Sequence, residues 1–175
     1  MPETFTERIK KIKLVILDID GVLTDGRIIF GDYGDELKFF DVQDGLGLVM
    51  LHRASIKTII VSAKKSKVNI RRAKEVKALK IYQGVKDKLE IYKKVLKEFR
   101  LLDEEVCFIG DDLIDIPILT RAGFSVAVAN AVDEVKKVVH HVTQKSGGRG
   151  AVRELTDLIL KTQGLWENLT ARYYQ

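Results

Sequence analysis

The chain of 175 residues contains one cysteine, two prolines, one tryptophan and two methionines. The lone Cys107 cannot close a disulfide within the chain, and paired-cysteine redox centres are excluded with it. It lies in an apolar run and reads as a small core residue. No repeat, low-complexity tract or linker interrupts the chain. No apolar run approaches the ~20 residues that a membrane helix needs, so no membrane partner is expected. Met1-Pro2-Glu3-Thr4 lacks the basic start and apolar stretch of a signal peptide, and a soluble, cytoplasmic protein is expected. The three histidines, His52, His140 and His141, lack metal-ligand spacing around carboxylates, and surface or core roles are expected for them. A net charge of +5 is modest. Lysines cluster at Lys64, Lys65, Lys67, Lys74 and Lys77, and again at Lys86, Lys88, Lys93, Lys94 and Lys97. No aromatic residues interleave with them and no binding motif is visible, so nucleic acid is not the expected partner. A positive field that draws in an anionic small substrate fits the same charges.

What is present suits one domain spanning residues 1–175, with 46% hydrophobic residues to form its core. Apolar, Val/Ile-rich runs predict strands at Lys13–Ile19, Thr58–Ala63, Ala78–Tyr82, Val106–Gly110 and Ser125–Ala129, with a short sixth near His141–Thr143. Helical patterns separate them: Lys86–Phe99, a weaker stretch carrying Val68, Ala73 and Val76, a short helix around Ile114–Leu119, and Ala151–Thr162. Strands alternating with helices imply an α/β fold with a doubly wound parallel sheet, Rossmann-like, whose ligands sit at the carboxyl ends of the strands. Arg27–Phe30 and Glu36–Phe40 flank Gly31-Asp32-Tyr33-Gly34-Asp35 and predict an inserted β-hairpin, whose apolar residues need cover from the domain or from another subunit.

The chemistry gathers at strand ends. Asp18 and Asp20 follow the first strand, and alternation points them to the same side. Two close carboxylates repel unless a cation or a shared proton holds them, and Mg²⁺ is the natural hard-cation solution. A carboxylate beside Mg²⁺ can also attack phosphorus. The plainer alternative is a solvated, Asp-rich turn. Gly110-Asp111-Asp112 follows the fourth strand, with Asp115 on the short helix. Asp111 can supply a third oxygen ligand, and one of these aspartates can cap the helix. Ser62 ends the second strand, where a hydroxyl can hold a phosphate oxygen or serve as a helix cap. A lysine opening the Lys86–Phe99 helix is misplaced for the macrodipole, which hints at a local anion; Lys86 and Lys88 compete for that role. Asp41-Val42-Gln43-Asp44-Gly45-Leu46-Gly47 reads as a glycine-bearing turn that exposes backbone N–H groups.

The order D-x-D-G, then Ser after a strand, then Lys, then G-D-D-x-x-D resembles the haloacid dehalogenase superfamily. Finer segments (Asp20–Gly26, Asp44–Gly47, Tyr82-Gln83-Gly84, Gly110–Asp115 and Gly147–Glu154) resemble its phosphatases of an eight-carbon keto-deoxy sugar acid phosphate. The resemblance implies an Mg²⁺-dependent phosphomonoesterase acting in lipopolysaccharide precursor synthesis. It assigns Asp18 as nucleophile, Asp20 as acid/base, and Ser62 and Lys88 as phosphoryl binders. It implies Mg²⁺ held by Asp18, the Asp20 carbonyl and Asp111, with Asp112 and Asp115 supporting. Asp20, Asp41, Val42, Gln43, Asp44, Gly45, Lys64, Arg72 and Lys88 would face a phosphorylated sugar-acid substrate. The short stretch between Gly26 and Ser62 leaves no room for a cap domain, and the resemblance implies a homotetramer. This chain departs at Ser62-Ala63-Lys64, where the superfamily usually reads Thr/Ser-Gly-Arg, and at Val49, where a basic residue is usual. A phosphatase for a nine-carbon acid phosphate, a broad sugar phosphatase and an inactive binding subunit on the same fold are the alternatives.

Overall fold

Each of the predicted apolar runs becomes a strand. The computed structural model describes residues 3–34 and 36–175; Met1, Pro2 and Asp35, the last residue of the predicted hairpin loop, lie outside the described residues. The strands are β1 (Leu14–Leu17), the hairpin strands β2 (Ile29–Phe30) and β3 (Glu36–Leu37), then β4 (Lys57–Ser62), β5 (Lys80–Gln83), β6 (Val106–Gly110), β7 (Phe124–Ala127) and β8 (His141–Val142). The helices are α1 (Phe5–Lys10), α2 (Val42–Arg53), α3 (Lys67–Glu75), α4 (Lys88–Phe99), α5 (Ile116–Leu119), α6 (Asp133–Lys136), α7 (Ala151–Thr162) and α8 (Trp166–Thr170).

The main sheet runs β5-β4-β1-β6-β7-β8, and every pairing in it is parallel. Counted along the chain this is strand order 3-2-1-4-5-6, with the direction of winding reversing beside β1. In such a sheet the crevice for ligands opens at that reversal, beyond the carboxyl ends of the strands. Leu17 pairs with Ile60 of β4 and with Ile109 of β6, so the three central strands finish nearly level. Asp18, Ser62 and Asp111 therefore share one sheet edge. No cap domain is inserted among the described residues.

Right-handed crossovers carry α2 and α3 on one face and α4, α5 and α6 on the other. The sheet between them reads Leu-Val-Ile-Leu in β1 and Val-Cys-Phe-Ile in β6, all buried. Burial pushes the Cys107 thiol well above its ordinary value, as expected for an inert core residue. α7 buries Ala151, Val152, Leu155, Ile159 and Leu160 against the core, each large side chain stabilising by roughly 1.5–3 kcal/mol. It packs chiefly on α2.

That packing corrects the reading of Asp41–Gly47 as a glycine-bearing turn. α2 begins at Val42, and Asp41 is its N-cap, accepting the Gln43 amide at 2.6 Å. The glycines serve helix contact instead: a Cβ on Gly47 would stand 2.3 Å from Thr156 Oγ1 of α7, and one on Gly45 would stand 2.6 Å from Arg72 Nη2 of α3. Two backbone amides of this segment turn to Asp41, Gln43 to its side chain and Gly45 to its carbonyl at 3.3 Å. α1 opens with a capping box, Thr4 and Glu7 bonding reciprocally, and Gln163 at the end of α7 donates to the Ile9 and Ile12 carbonyls, both at 2.9 Å. The terminal segment packs on its own domain through Trp166, with Lys161 Nζ 4.6 Å from its ring centroid.

Candidate active site

β1 stops at Leu17, short of the predicted Ile19, so Asp18 and Asp20 stand in the turn beyond it and the turn sets their directions. The Ile19 carbonyl receives the amides of Val22, Leu23 and Thr24 at 2.9–3.2 Å. Gly21 has a φ of +92°, and a Cβ there would stand 1.9 Å from Asp111 Oδ2. Only glycine lets the chain turn while Asp111 closes in. The loop entering α7 straps the outside of this turn: the Gly148 amide donates to the Val22 carbonyl at 2.9 Å, and the Gly147 amide to Asn130 Oδ1 at 2.8 Å.

Inside the turn four charged groups meet. Asp18 is buried; its Oδ1 accepts the Ile19 amide at 2.7 Å and its Oδ2 accepts Lys88 Nζ at 2.7 Å. Lys88 donates equally, at 2.7 Å, to Asp115 Oδ1. Asp115 is fully buried and also accepts the Asp111 amide at 3.0 Å. Asp112 caps the 3₁₀ turn Leu113–Asp115, accepting the Leu113 amide at 2.7 Å. Lys88 is the first residue of α4, behind the Asp87 cap. Of the two competing lysines it is the one in the site, and the aspartate cluster supplies the local anion.

Carboxylate oxygens of Asp18, Asp111 and Asp115 lie within 4.8 Å of one another. One lysine cannot neutralise three carboxylates. Burial drives the Asp18 carboxyl up to about 6, against the pull of Lys88 and with the push of Asp115. Burial, then the charges of Asp18 and Asp115, raises Asp111 to about 7. Burial alone would lower the Lys88 ammonium, but Asp18 and Asp115 outweigh it and hold it above its ordinary value. Asp111 Oδ1 is buried without a hydrogen-bond partner among the described residues. An orphaned carboxylate oxygen, excess negative charge and an all-oxygen donor set together fit a hard divalent cation.

The other predicted residues divide. Ser62 ends β4, buried, with its Oγ accepting the Lys64 amide at 3.2 Å. It does not cap α3, whose N-cap is Ser66. Lys64 is exposed. Arg72 is buried on α3, where Nη2 donates to the Asp41 carbonyl at 2.6 Å, Nη1 lies 3.2 Å from Glu75 and the guanidinium sits over the Phe40 ring. Val42 and Gln43 are exposed at the start of α2. Gly45 lies under Arg72.

Asp44 points elsewhere: fully buried, it accepts the Arg153 amide at 2.7 Å and the Gly150 amide at 3.3 Å, tying α2 to the start of α7. Burial raises its carboxyl to about 6, with the amides opposing and Asp41 adding. The folded chain thus holds this proton more tightly than the unfolded chain does. The penalty for ionising Asp44 is absent below about pH 4 and complete above about pH 6. Urea denaturation of wild type and Asp44→Asn should show the difference moving in the variant's favour by about 2–3 kcal/mol between pH 4.5 and 7.5. Movement in the opposite direction would remove Asp44 as a strained cap.

Lys38 was not singled out from the sequence. It follows β3, its side chain is closed to solvent, and its Nζ donates to Asp20 Oδ1 at 2.6 Å and lies 3.3 Å from Glu36 Oε1. The signal was present in the alternation of Glu36-Leu37-Lys38-Phe39-Phe40. Leu37 and Phe39 are exposed, so the polar side chains of this strand face inward.

The profile of the haloacid dehalogenase-like hydrolase family matches residues 50–155, more than half of the chain. The 3-deoxy-D-manno-octulosonate 8-phosphate phosphatase of Yersinia pestis is 43% identical over 164 residues, covering 94% of this chain and 88% of that protein. The protein of the same name from Escherichia coli strain K12 is 41% identical over 155 residues, 89% of this chain and 82% of that protein. A crystal structure of a probable phosphatase from Pseudomonas syringae superposes with a TM-score of 0.95 at 42% identity, covering 97% of both chains. The 3-deoxy-D-manno-octulosonate 8-phosphate phosphatase of Moraxella catarrhalis, solved in complex with magnesium, phosphate and a KDO molecule, superposes with a TM-score of 0.94 at 39% identity, covering 96% of this chain and 97% of that one. With its Rossmann-type strand order, its acidic cluster at the β1/β6 edge and these relatives spanning nearly its whole length, the chain belongs to the haloacid dehalogenase-like hydrolase family.

Proposed function

We propose that this chain is an Mg²⁺-dependent phosphatase that hydrolyses 3-deoxy-D-manno-octulosonate 8-phosphate, a step of lipopolysaccharide precursor synthesis. The observation that carries the reading is the buried cluster of Asp18, Asp111, Asp115 and Lys88 with its orphaned Asp111 oxygen. Asp18, Asp111 and the main-chain carbonyl of Asp20 hold the metal. Bound Mg²⁺ supplies positive charge to the phosphoryl oxygens.

The protein's own groups do the rest. Asp18 attacks phosphorus in line; its O–P bond forms as the bond to the sugar oxygen breaks. Asp20 gives its proton to that departing oxygen. Water then attacks the aspartyl-phosphate, passing a proton to Asp20, and Asp18 is released as carboxylate with free phosphate. Lys88 keeps Asp18 ionised and, with the Ser62 hydroxyl, faces the phosphoryl oxygens. A cavity of about 350 Å³ is lined in part by Asp25, Arg27, Phe40, Asp41 and Arg149, with both arginines facing Asp25, at 2.6 and 3.7 Å.

A phosphate-release panel tests the substrate. The eight-carbon sugar acid 8-phosphate should give the highest kcat/KM, ahead of a nine-carbon acid 9-phosphate and of neutral sugar phosphates. Chelation should abolish turnover and Mg²⁺ restore it. No release from any of them would end the reading, and equal release from neutral sugar phosphates would replace the substrate with a broader class.

The hairpin supports a further proposal, a homotetramer. Phe30, Leu37, Phe39 and Val42 are 77%, 55%, 63% and 80% exposed, an apolar face that a two-stranded hairpin cannot cover itself. Sedimentation should give a tetramer of the 19.8 kDa chain, and Phe30→Ser with Phe39→Ser should dissociate it. A stable, fully active wild-type monomer would reject the assembly.

A further inference from the structure

The contact between the hairpin and the second aspartate assigns a role to a residue outside the motifs. We infer that Lys38 is a positioning residue for Asp20, fixing the carboxylate that serves the leaving group, and that the hairpin is thereby part of the reaction machinery. The inference rests on the phosphatase reading above.

Three observations carry it. Lys38 Nζ lies 2.6 Å from Asp20 Oδ1, and the lysine side chain is 0% exposed while Asp20's is 20% exposed. The cation is therefore closed off from solvent, whereas the carboxylate keeps an open side. The ammonium is itself held from behind by Glu36, at 3.3 Å. Burial would raise the Glu36 carboxyl, but the Ser66 hydroxyl, Lys38 and Lys64 together hold it below its ordinary value. A chain of contacts thus runs from Glu36 through Lys38 to Asp20. Asp18 needs no such device, because Lys88 and the Ile19 amide fix both of its oxygens. Asp20 has Lys38 as the one side-chain partner found among the described residues.

A group that acts through Asp20 should matter most where Asp20 matters most. Asp20's proton is needed when the departing oxygen is a poor leaving group, as in a sugar alkoxide. A nitrophenolate departs unaided. The test compares kcat/KM, which ends at departure of the alcohol, for the eight-carbon sugar acid phosphate and for p-nitrophenyl phosphate. Lys38→Met should lower the first by about tenfold or more, chiefly through kcat, and the second by less than about threefold. It should add little in an Asp20→Asn background, since both changes disable one unit. Lys38→Arg keeps the charge and should recover part of the loss; it also serves where Lys38→Met fails to fold. Equal losses on both substrates, a loss confined to KM, or full additivity with Asp20→Asn would overturn the assignment while leaving the phosphatase reading intact. Wild type inert toward both substrates would overturn both.

Discussion

Lys88→Met should destabilise the metal-free protein by about 3–5 kcal/mol at pH 8, the cost of removing one partner from a buried ion pair. Among the described residues the lysine is the one cation within bonding distance of Asp18 and Asp115, at 2.7 Å from each. Without it three buried carboxylates face one another. They escape by binding protons, so their folded-state values rise further above the unfolded carboxylate range. A raised acid destabilises the fold above its folded value and not below its unfolded one. The deficit should therefore shrink as pH falls from 8 to 5, and Mg²⁺ at pH 8 should recover part of it. Denaturation in chelator at the two pH values measures this. A loss below about 1 kcal/mol at pH 8 would show that Lys88 does not neutralise the cluster. Turnover should be lost as well.

Asp18→Asn should abolish turnover, by about 10⁴-fold or more, as removal of a nucleophile does. Its effect on the fold should have the opposite sign. One of three crowded negative charges disappears, and Lys88 still balances Asp115. In chelator the melting temperature should stay level or rise, and the Mg²⁺-induced increase should shrink because a ligand is gone. Retained turnover would remove Asp18 as nucleophile. A collapsed fold in chelator would mean that the lysine, and not the repulsion between carboxylates, dominates the site.

The strands and the acidic cluster were legible because local signals set them. Val/Ile runs specify buried parallel strands whatever surrounds them, and glycine after D-x-D marks a turn. A lysine opening α4 was legible by its misfit with the helix dipole, while the resemblance alone chose Lys88 over Lys86. The errors lie where tertiary contact decides. Gly45 and Gly47 look like turn residues, yet they sit in a helix because Arg72 and Thr156 press against it. Asp44 looked like part of a ligand loop and instead holds α7. Lys38 was invisible at short range because its partner lies eighteen residues earlier. α1 was missed although Thr-x-x-Glu announces its cap, and α6 and α8, of four and five residues, are too short to show a periodic face.

The strap across the turn after β1 has a temporal consequence. The aspartates at positions 18 and 20 leave the ribosome early, but the loop that buttresses them, through the Gly148 amide on the Val22 carbonyl, belongs to the last fifth of the chain. A nascent chain halted before residue 146 holds every aspartate of the cluster yet no backing for the turn that presents them. Competence should arrive late in synthesis, all at once, with the closing segment acting as the latch on residues made first.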